Sequence, residues 1–292
     1  MDVFVSQLFN GLSIGSVLLL IALGLTFTFG QMGVINMAHG ELIMIGAYTA
    51  YMVGESVGTV SLVVALPIAF VIAGLLGVVM ERLLISRLYG RPLDTLLVTW
   101  GVSLILQQVA RDIFGAPNVN VTKPSWLDGS FQVFGTTLPF TRLFIIGLVG
   151  SAVVVIWIYS TRMTTGVRMR AVTQNRQLAA VSGINVQRVD QRTFFIGSGL
   201  AGAAGVALTL LGPIGPTLGT NYIVDAFLVV VAGGLGQIRG AVIAAIGLGI
   251  MSSFVEYRTS TSIAKVAVFV AVVILLQFRP QGIVALRTRA LT

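Results

Sequence analysis

Nine runs of apolar residues, several near the length that crosses a bilayer, constrain this chain more than any motif does. A spanning helix needs about 20 predominantly apolar residues. The runs cover residues 4–29, 36–54, 61–84, 94–114, 141–160, 192–211, 222–234, 240–254 and 262–278. The seventh and eighth are short. They read either as two spans or as one broken re-entrant unit around Gly233, Gly234, Leu235, Gly236 and Gln237. Only 10% of the 292 residues are charged, against about a quarter in soluble domains, and the mean hydropathy is +0.96. A globular domain with one anchor is excluded. The expected fold is all-α: a polytopic membrane protein of 8 or 9 transmembrane helices forming a single domain, residues 1–292. Asp2 and the lack of a basic leading region argue against a cleaved signal peptide.

Arginine placement orients the spans. The net charge is +8, and 16 of the 18 basic residues are arginine. They gather in loops, which fits the positive-inside rule rather than nucleic-acid binding. Alternating the spans puts Arg82, Arg87, Arg91, Arg162, Arg168, Arg170, Arg176, Arg188, Arg192, Arg239, Arg279, Arg287 and Arg289 on one side. Arg111, Lys123, Arg142, Arg258 and Lys265 fall on or near the other. The C-terminus is therefore expected in the cytoplasm, with the N-terminus outside if there are nine crossings. Loop 115–140 is then external and should carry short non-helical structure with an interfacial Trp126, while loop 161–190 is cytoplasmic.

Polar residues interrupt the apolar runs at two places. Asn36, His39 and Glu41 lie within six residues, and His39 is the only histidine. Such groups are tolerated at membrane depth only where they face protein or a wet cavity. They mark either a passage or a hydrated turn at the surface. A break there would let Asn36 cap the helix that follows. In the fourth run Thr99, Ser103 and Gln107 are four apart and form one helical stripe, with Gln108 beside it. The stripe either makes hydrogen bonds between helices or lines a polar passage. Small residues such as Gly11, Gly15, Ala73, Gly77, Gly197 and Gly202 read as ordinary close packing. Gly-rich breaks at 30–36 and 212–216, on opposite faces, hint at an inverted repeat.

Catalytic chemistry finds little footing. There is no cysteine, so disulfides and thiolates are excluded. One histidine makes a histidine-based metal site untenable, and no metal ligand set is expected. Glu41, Asp94 and Asp225 are the acids within the runs, and none is paired in sequence. Asp94 and Asp225 each lie near the end of a run, where water or a helix N-terminus satisfies a carboxylate. No nucleophile elbow, zinc-protease motif or P-loop occurs. No cofactor is expected in this chain, and uphill transport would draw on another subunit or an ion gradient.

The segment 164–183 reads as a short amphipathic cytoplasmic helix. Thr173 would cap its start and Gly183 its end, and Val172, Ala179 and Val181 give it an apolar patch. It either docks in a groove of a soluble partner or lies on the anionic leaflet. Ala179 and Ala180 are small, which suits close docking better than lipid anchoring.

Three stretches carry a family resemblance. Gly24-Leu25-Thr26, the run Gly33 to Gly40 and Gly46-Ala47-Tyr48 form the first. Arg170-Ala171, Asn175-Arg176, Ala179-Ala180 and Gly183-Ile184-Asn185 form the second, and Gln277 to Gly282 the third. Together they resemble the branched-chain amino-acid type permeases of bacterial ABC importers, over essentially the whole chain. Thr26-Phe27-Thr28-Phe29-Gly30-Gln31-Met32, with Met37 and Glu41, is most similar to the urea-permease branch.

The resemblance implies a permease of the bacterial inner membrane that works with a second homologous permease, two ATPases holding ATP and magnesium, and a periplasmic solute-binding protein. It implies that Arg170, Thr173, Asn175, Arg176, Ala179, Ala180 and Gly183 contact an ATPase. The expected substrate is urea or a short-chain amide, with branched-chain amino acids as the alternative. Thr26, Thr28, Asn36, His39, Glu41, Thr99, Ser103 and Gln107 are the expected pathway residues, offering amides and hydroxyls with few charges. A channel or gradient-driven transporter would share the apolar spans but not the docking loop. An intramembrane enzyme lacks paired catalytic groups.

Overall fold

The computed structural model describes residues 2–57, 61–133 and 136–284. Arg287 and Arg289 of the tail lie outside the described residues. Eleven helices occur among them: α1 (Asp2–Met32), α2 (His39–Val57), α3 (Ser61–Leu83), α4 (Pro92–Phe114), α5 (Phe140–Arg162), α6 (Thr164–Gln174), α7 (Arg176–Val181), α8 (Val186–Leu208), α9 (Leu218–Gly233), α10 (Ile238–Arg258) and α11 (Thr261–Phe278). Each of the nine expected runs is one helix, while α6 and α7 occupy the loop between the fifth and sixth. α9 and α10 are separate helices, not one broken unit. The turn between them is made possible by Gly234 and Gly236, at φ 102° and 73°.

α1, α3, α4, α5, α10 and α11 are long and apolar enough to cross a membrane. The other three depart from that pattern for visible reasons. α2 starts with His39 and Glu41, α8 carries Arg188, Asp190 and Arg192 near its start, and α9 has only 16 residues. Those three are sheltered by their neighbours. α8 packs against α1, α2 and α3, and α9 against α1, α2 and α10. α4 and α11 sit at the periphery and expose apolar side chains such as Leu97, Ile105, Val266 and Val270.

Helices in lipid gain no hydrophobic drive to associate, so close backbone packing has to hold them. Small residues supply it. At Gly46 a methyl group would run into the backbone of Gly202 on α8. Gly24 of α1 and Gly197 of α8 obstruct each other's methyl position reciprocally, and so do Gly40 of α2 and Gly219 of α9. Reciprocal contacts of this kind follow from close approach of two helix backbones. The links 33–38 and 209–217 precede α2 and α9, and Gly33, Ile35, Gly40 recur at matching spacing as Gly212, Ile214, Gly219. The first turns of α2 and α9 thus meet through Gly40 and Gly219.

Loop 115–140 forms a short antiparallel hairpin, β1 (Ser130–Val133) with β2 (Thr136–Pro139), after a 3-10 turn at Ser125–Leu127. Val119 pairs with Ile214 through backbone hydrogen bonds of 2.8 and 2.9 Å, which ties this loop to the α8–α9 link. Trp126 is half exposed and stands edge-on to Phe144.

Candidate functional site

The chain leaves α1 through Gly33, at φ 64°, and folds back along the helix it has just completed. His39 Nε2 thereby comes 3.2 Å from the carbonyl oxygen of Ile21. A carbonyl only accepts, so Nε2 carries the proton. His39 is fully buried, and among the described residues its Nδ1 has no hydrogen-bond partner. The Asn36 side chain does not cap α2. Its amide is buried with neither atom hydrogen-bonded, beside a space of about 90 Å³ lined by Leu25, Ile223 and Phe227.

Glu41 lies in the first turn of α2 and faces the first turn of α9. Its Oε1 accepts from Ser103 Oγ at 2.9 Å and Gln107 Nε2 at 3.0 Å, with Thr220 Oγ1 at 3.5 Å. Gln107 Nε2 is also 3.1 Å from Thr220 Oγ1. Two helix N-termini converge here, each with partial positive charge. A carboxylate at one such end gains about 0.3–1 kcal/mol, and up to ~2 when partly buried. The two N-termini favour negative charge at Glu41 and three donors reach its Oε1, while its Oε2 has no hydrogen-bond partner among the described residues. Nearer the link, Thr99 Oγ1 accepts from the Met37 N–H at 3.1 Å and lies 3.3 Å from the Ile35 carbonyl oxygen. The stripe Thr99, Ser103 and Gln107 therefore bonds α4 to α2, α9 and the link.

Thr26 and Thr28 bond back to their own helix, at Ala22 O (2.6 Å) and Leu25 O (3.2 Å). All eight expected pathway residues are buried, and six of them cluster around the start of α2. Thr220 was not anticipated. The matched spacing of Gly40-Glu41 and Gly219-Thr220 was the signal that would have found it.

The expected single helix over 164–183 is two helices, α6 and α7, parted at Asn175. Asn175, not Thr173, is the cap: its Oδ1 accepts from Leu178 N at 2.9 Å. Thr173 lies inside α6 and bonds back to Met169 O. Gly183 takes φ 84°, as its position past the helix requires. Ala179 packs inward, whereas Arg170, Thr173, Asn175, Ala180 and Gly183 are exposed. On α7, Leu178 and Val181 are the large apolar groups facing out, at 62% and 82% exposure, and Val167 of α6 is exposed as well.

Arg176 opens α7 and pairs with Asp190 of α8, which is almost wholly buried. Its guanidinium also lies 4.4 Å from the ring centroid of Tyr89, and the Tyr89 hydroxyl donates to Glu81 Oε1 at 3.1 Å. Burial pushes the Tyr89 phenol up, with Asp190 and Glu81 adding to the effect, so it stays a donor. Nothing in sequence spacing linked these four residues, which come from α3, the α3–α4 turn, α7 and α8.

A bundle of helices, six of them long and apolar enough to cross a membrane, defines a polytopic helical membrane protein. Residues 7–277 match the family model described as branched-chain amino acid transport system / permease component, and the chain belongs to that family. It is 32% identical to the high-affinity branched-chain amino acid transport system permease protein LivH of Escherichia coli (strain K12), over 96% of this chain and 95% of that one. Identity to the corresponding protein BraD of Pseudomonas aeruginosa is 29% over the same shares. The ribose import permease protein RbsC of Escherichia coli (strain K12) is 28% identical over 93% of this chain and 84% of its own length.

Proposed function

We propose that this chain is a permease subunit of an ATP-driven importer of branched-chain amino acids in a bacterial inner membrane. Whole-length similarity to permeases named for that substrate carries the reading. The partners are a second homologous permease, two ATPases that hold ATP and magnesium, and a periplasmic solute-binding protein. The C-terminus faces the cytoplasm, on the side of the arginine-rich loop.

Urea was expected from the run 31–41, and the relatives support amino acids instead. The hydroxyl protons of Thr26, Thr28, Thr99 and Ser103 and the amide of Gln107 are used in bonds within the protein, while the Asn36 amide has neither atom hydrogen-bonded among the described residues. Uptake by the assembled complex decides between them: labelled leucine should accumulate only with ATP, with urea neither accumulating nor competing. ATP-dependent accumulation of urea without leucine would overturn the assignment.

α7 is the segment that docks on an ATPase, through Leu178 and Val181. Replacing both by glutamate puts two charges on the docking face and removes its apolar contact. Substrate-stimulated ATP hydrolysis should fall about tenfold or more, the effect of losing a contact centre worth ~2 kcal/mol. The ATPase subunits should also be lost on purification in mild detergent. Co-purification at the parent ratio with undiminished stimulation would show that α7 docks nowhere.

A further inference from the structure

A cavity of about 490 Å³ opens between α1, α9, α10 and α11, beneath the α8–α9 link and at the end opposite the arginine-rich loop. Ile14, Val17, Leu248 and Val268 make aliphatic walls, and Asp225 and Lys265 face each other across one side. Asp225 is not near a span end, as its place in the sequence implied: it sits mid-way along α9. Lys265 projects from the early part of α11. Their Oδ2 and Nζ atoms are 3.8 Å apart, beyond the roughly 2.7–3.2 Å of a hydrogen bond. Both line the cavity, with Lys265 half exposed and Asp225 one-fifth exposed. Glu256 at the rim is already engaged by the Thr261 hydroxyl at 2.5 Å.

Charges within a membrane bundle are kept where they face a wet cavity, and they mark transport pathways. We propose that this cavity holds the amino acid during translocation. Asp225 receives the α-ammonium, Lys265 the α-carboxylate, and the aliphatic walls take the branched side chain. The proposal rests on the amino-acid reading given above.

The complementarity is specific. A zwitterion entering between the two groups replaces one loose ion pair by two charge-assisted hydrogen bonds. The cavity falls within the range of about 300–1,000 Å³ usual for small-molecule sites. The space of about 90 Å³ beside Asn36 does not. Urea carries neither charge nor an aliphatic body, so it would use neither the ion-pairing nor the aliphatic walls of this cavity.

The test uses the complete transporter in proteoliposomes with its binding protein, scored by maximal uptake rate of labelled leucine. Asp225→Asn and Lys265→Gln should each lower it about tenfold or more, because each leaves a ligand charge unpaired. The exchange Asp225→Lys with Lys265→Asp separates a ligand site from a structural ion pair. A structural pair would be restored to within about threefold of the parent. A ligand site stays down, because the walls fix which end of the amino acid meets which charge.

A second measurement guards against misfolded variants. Saturation-transfer NMR on the complex without binding protein uses leucine, leucinol and 4-methylpentanoate as probes. The parent should prefer leucine to both. Lys265→Gln should erase the preference over leucinol, and Asp225→Asn that over 4-methylpentanoate. Unchanged preferences, rescue by the exchange, or uptake by both single variants within about twofold of the parent would overturn the site. A parent complex that takes up no leucine at all would overturn the amino-acid reading itself.

Discussion

Replacing Asp190 by asparagine should both destabilise the protein and disconnect α7 from the membrane helices. Asp190 is almost wholly buried and its carboxylate is held by Arg176. Removing one partner of a buried pair costs about 3–5 kcal/mol because the other charge is stranded. Arg176 is 39% exposed, so water recovers part of that, and about 2–3 kcal/mol is expected. The midpoint of denaturation in mild detergent should fall accordingly.

The functional effect should exceed the stability effect. Arg176 is the first residue of α7, and its pairs reach α8 through Asp190 and the α3–α4 turn through Tyr89. With the anchor gone, motion of an ATPase under α7 would no longer be transmitted, and the ratio of substrate-stimulated to basal ATP hydrolysis should approach one. The exchange Arg176→Asp with Asp190→Arg should recover part of both losses. A variant that is less stable yet keeps its stimulation ratio would show that the pair only supports the fold.

The sequence made the helical layers legible because each run of apolar residues is a local signal. Nine runs gave nine helices, and even the short seventh run emerged as the short α9. What local signals could not carry was depth. α2 starts beside Ile21 of α1, and α9 starts beside α2. Neither fact follows from run length, because a chain that turns back inside the bundle looks in sequence like one that turns at its surface. Asn36 and Thr173 were plausible caps by residue type. The caps depend on where the backbone breaks, and Asn175 and an uncapped link took those roles. Ala179 had the right size for docking but lies on the inward face, since the break at Asn175 resets the helical phase. The polar cluster was half visible. Glu41, Ser103 and Gln107 stood out as costly inclusions, while Thr220 lay far away in sequence and looked ordinary.

A methyl group at Gly219 should be severely damaging, because it would be driven into the backbone of α2. Gly219 and Gly40 touch backbone to backbone, and the atoms a Cβ would meet are the carbonyl oxygen and carbon of Gly40 and the amide nitrogen of Glu41. No side chain can swing aside to make room. Ordinary overpacking costs about 1–3 kcal/mol, and here two helix starts must separate, which pulls Thr220 from Gln107 and Glu41 as well. The gain in helix propensity from Gly to Ala, at most about 1 kcal/mol, opposes this and should lose. Gly247 provides the control. It lies in the interior of α10, exposed, with open space where a Cβ would go. Gly247→Ala should therefore leave yield unchanged or raise the denaturation midpoint, while Gly219→Ala should sharply reduce the amount of folded protein recovered from membranes. The two substitutions add the same atom to a glycine in a helix, and what that atom meets should dominate the difference between them. Equal recovery of the two would mean that α2 and α9 do not start in contact, and the paired breaks would lose their meaning as the centre of the fold.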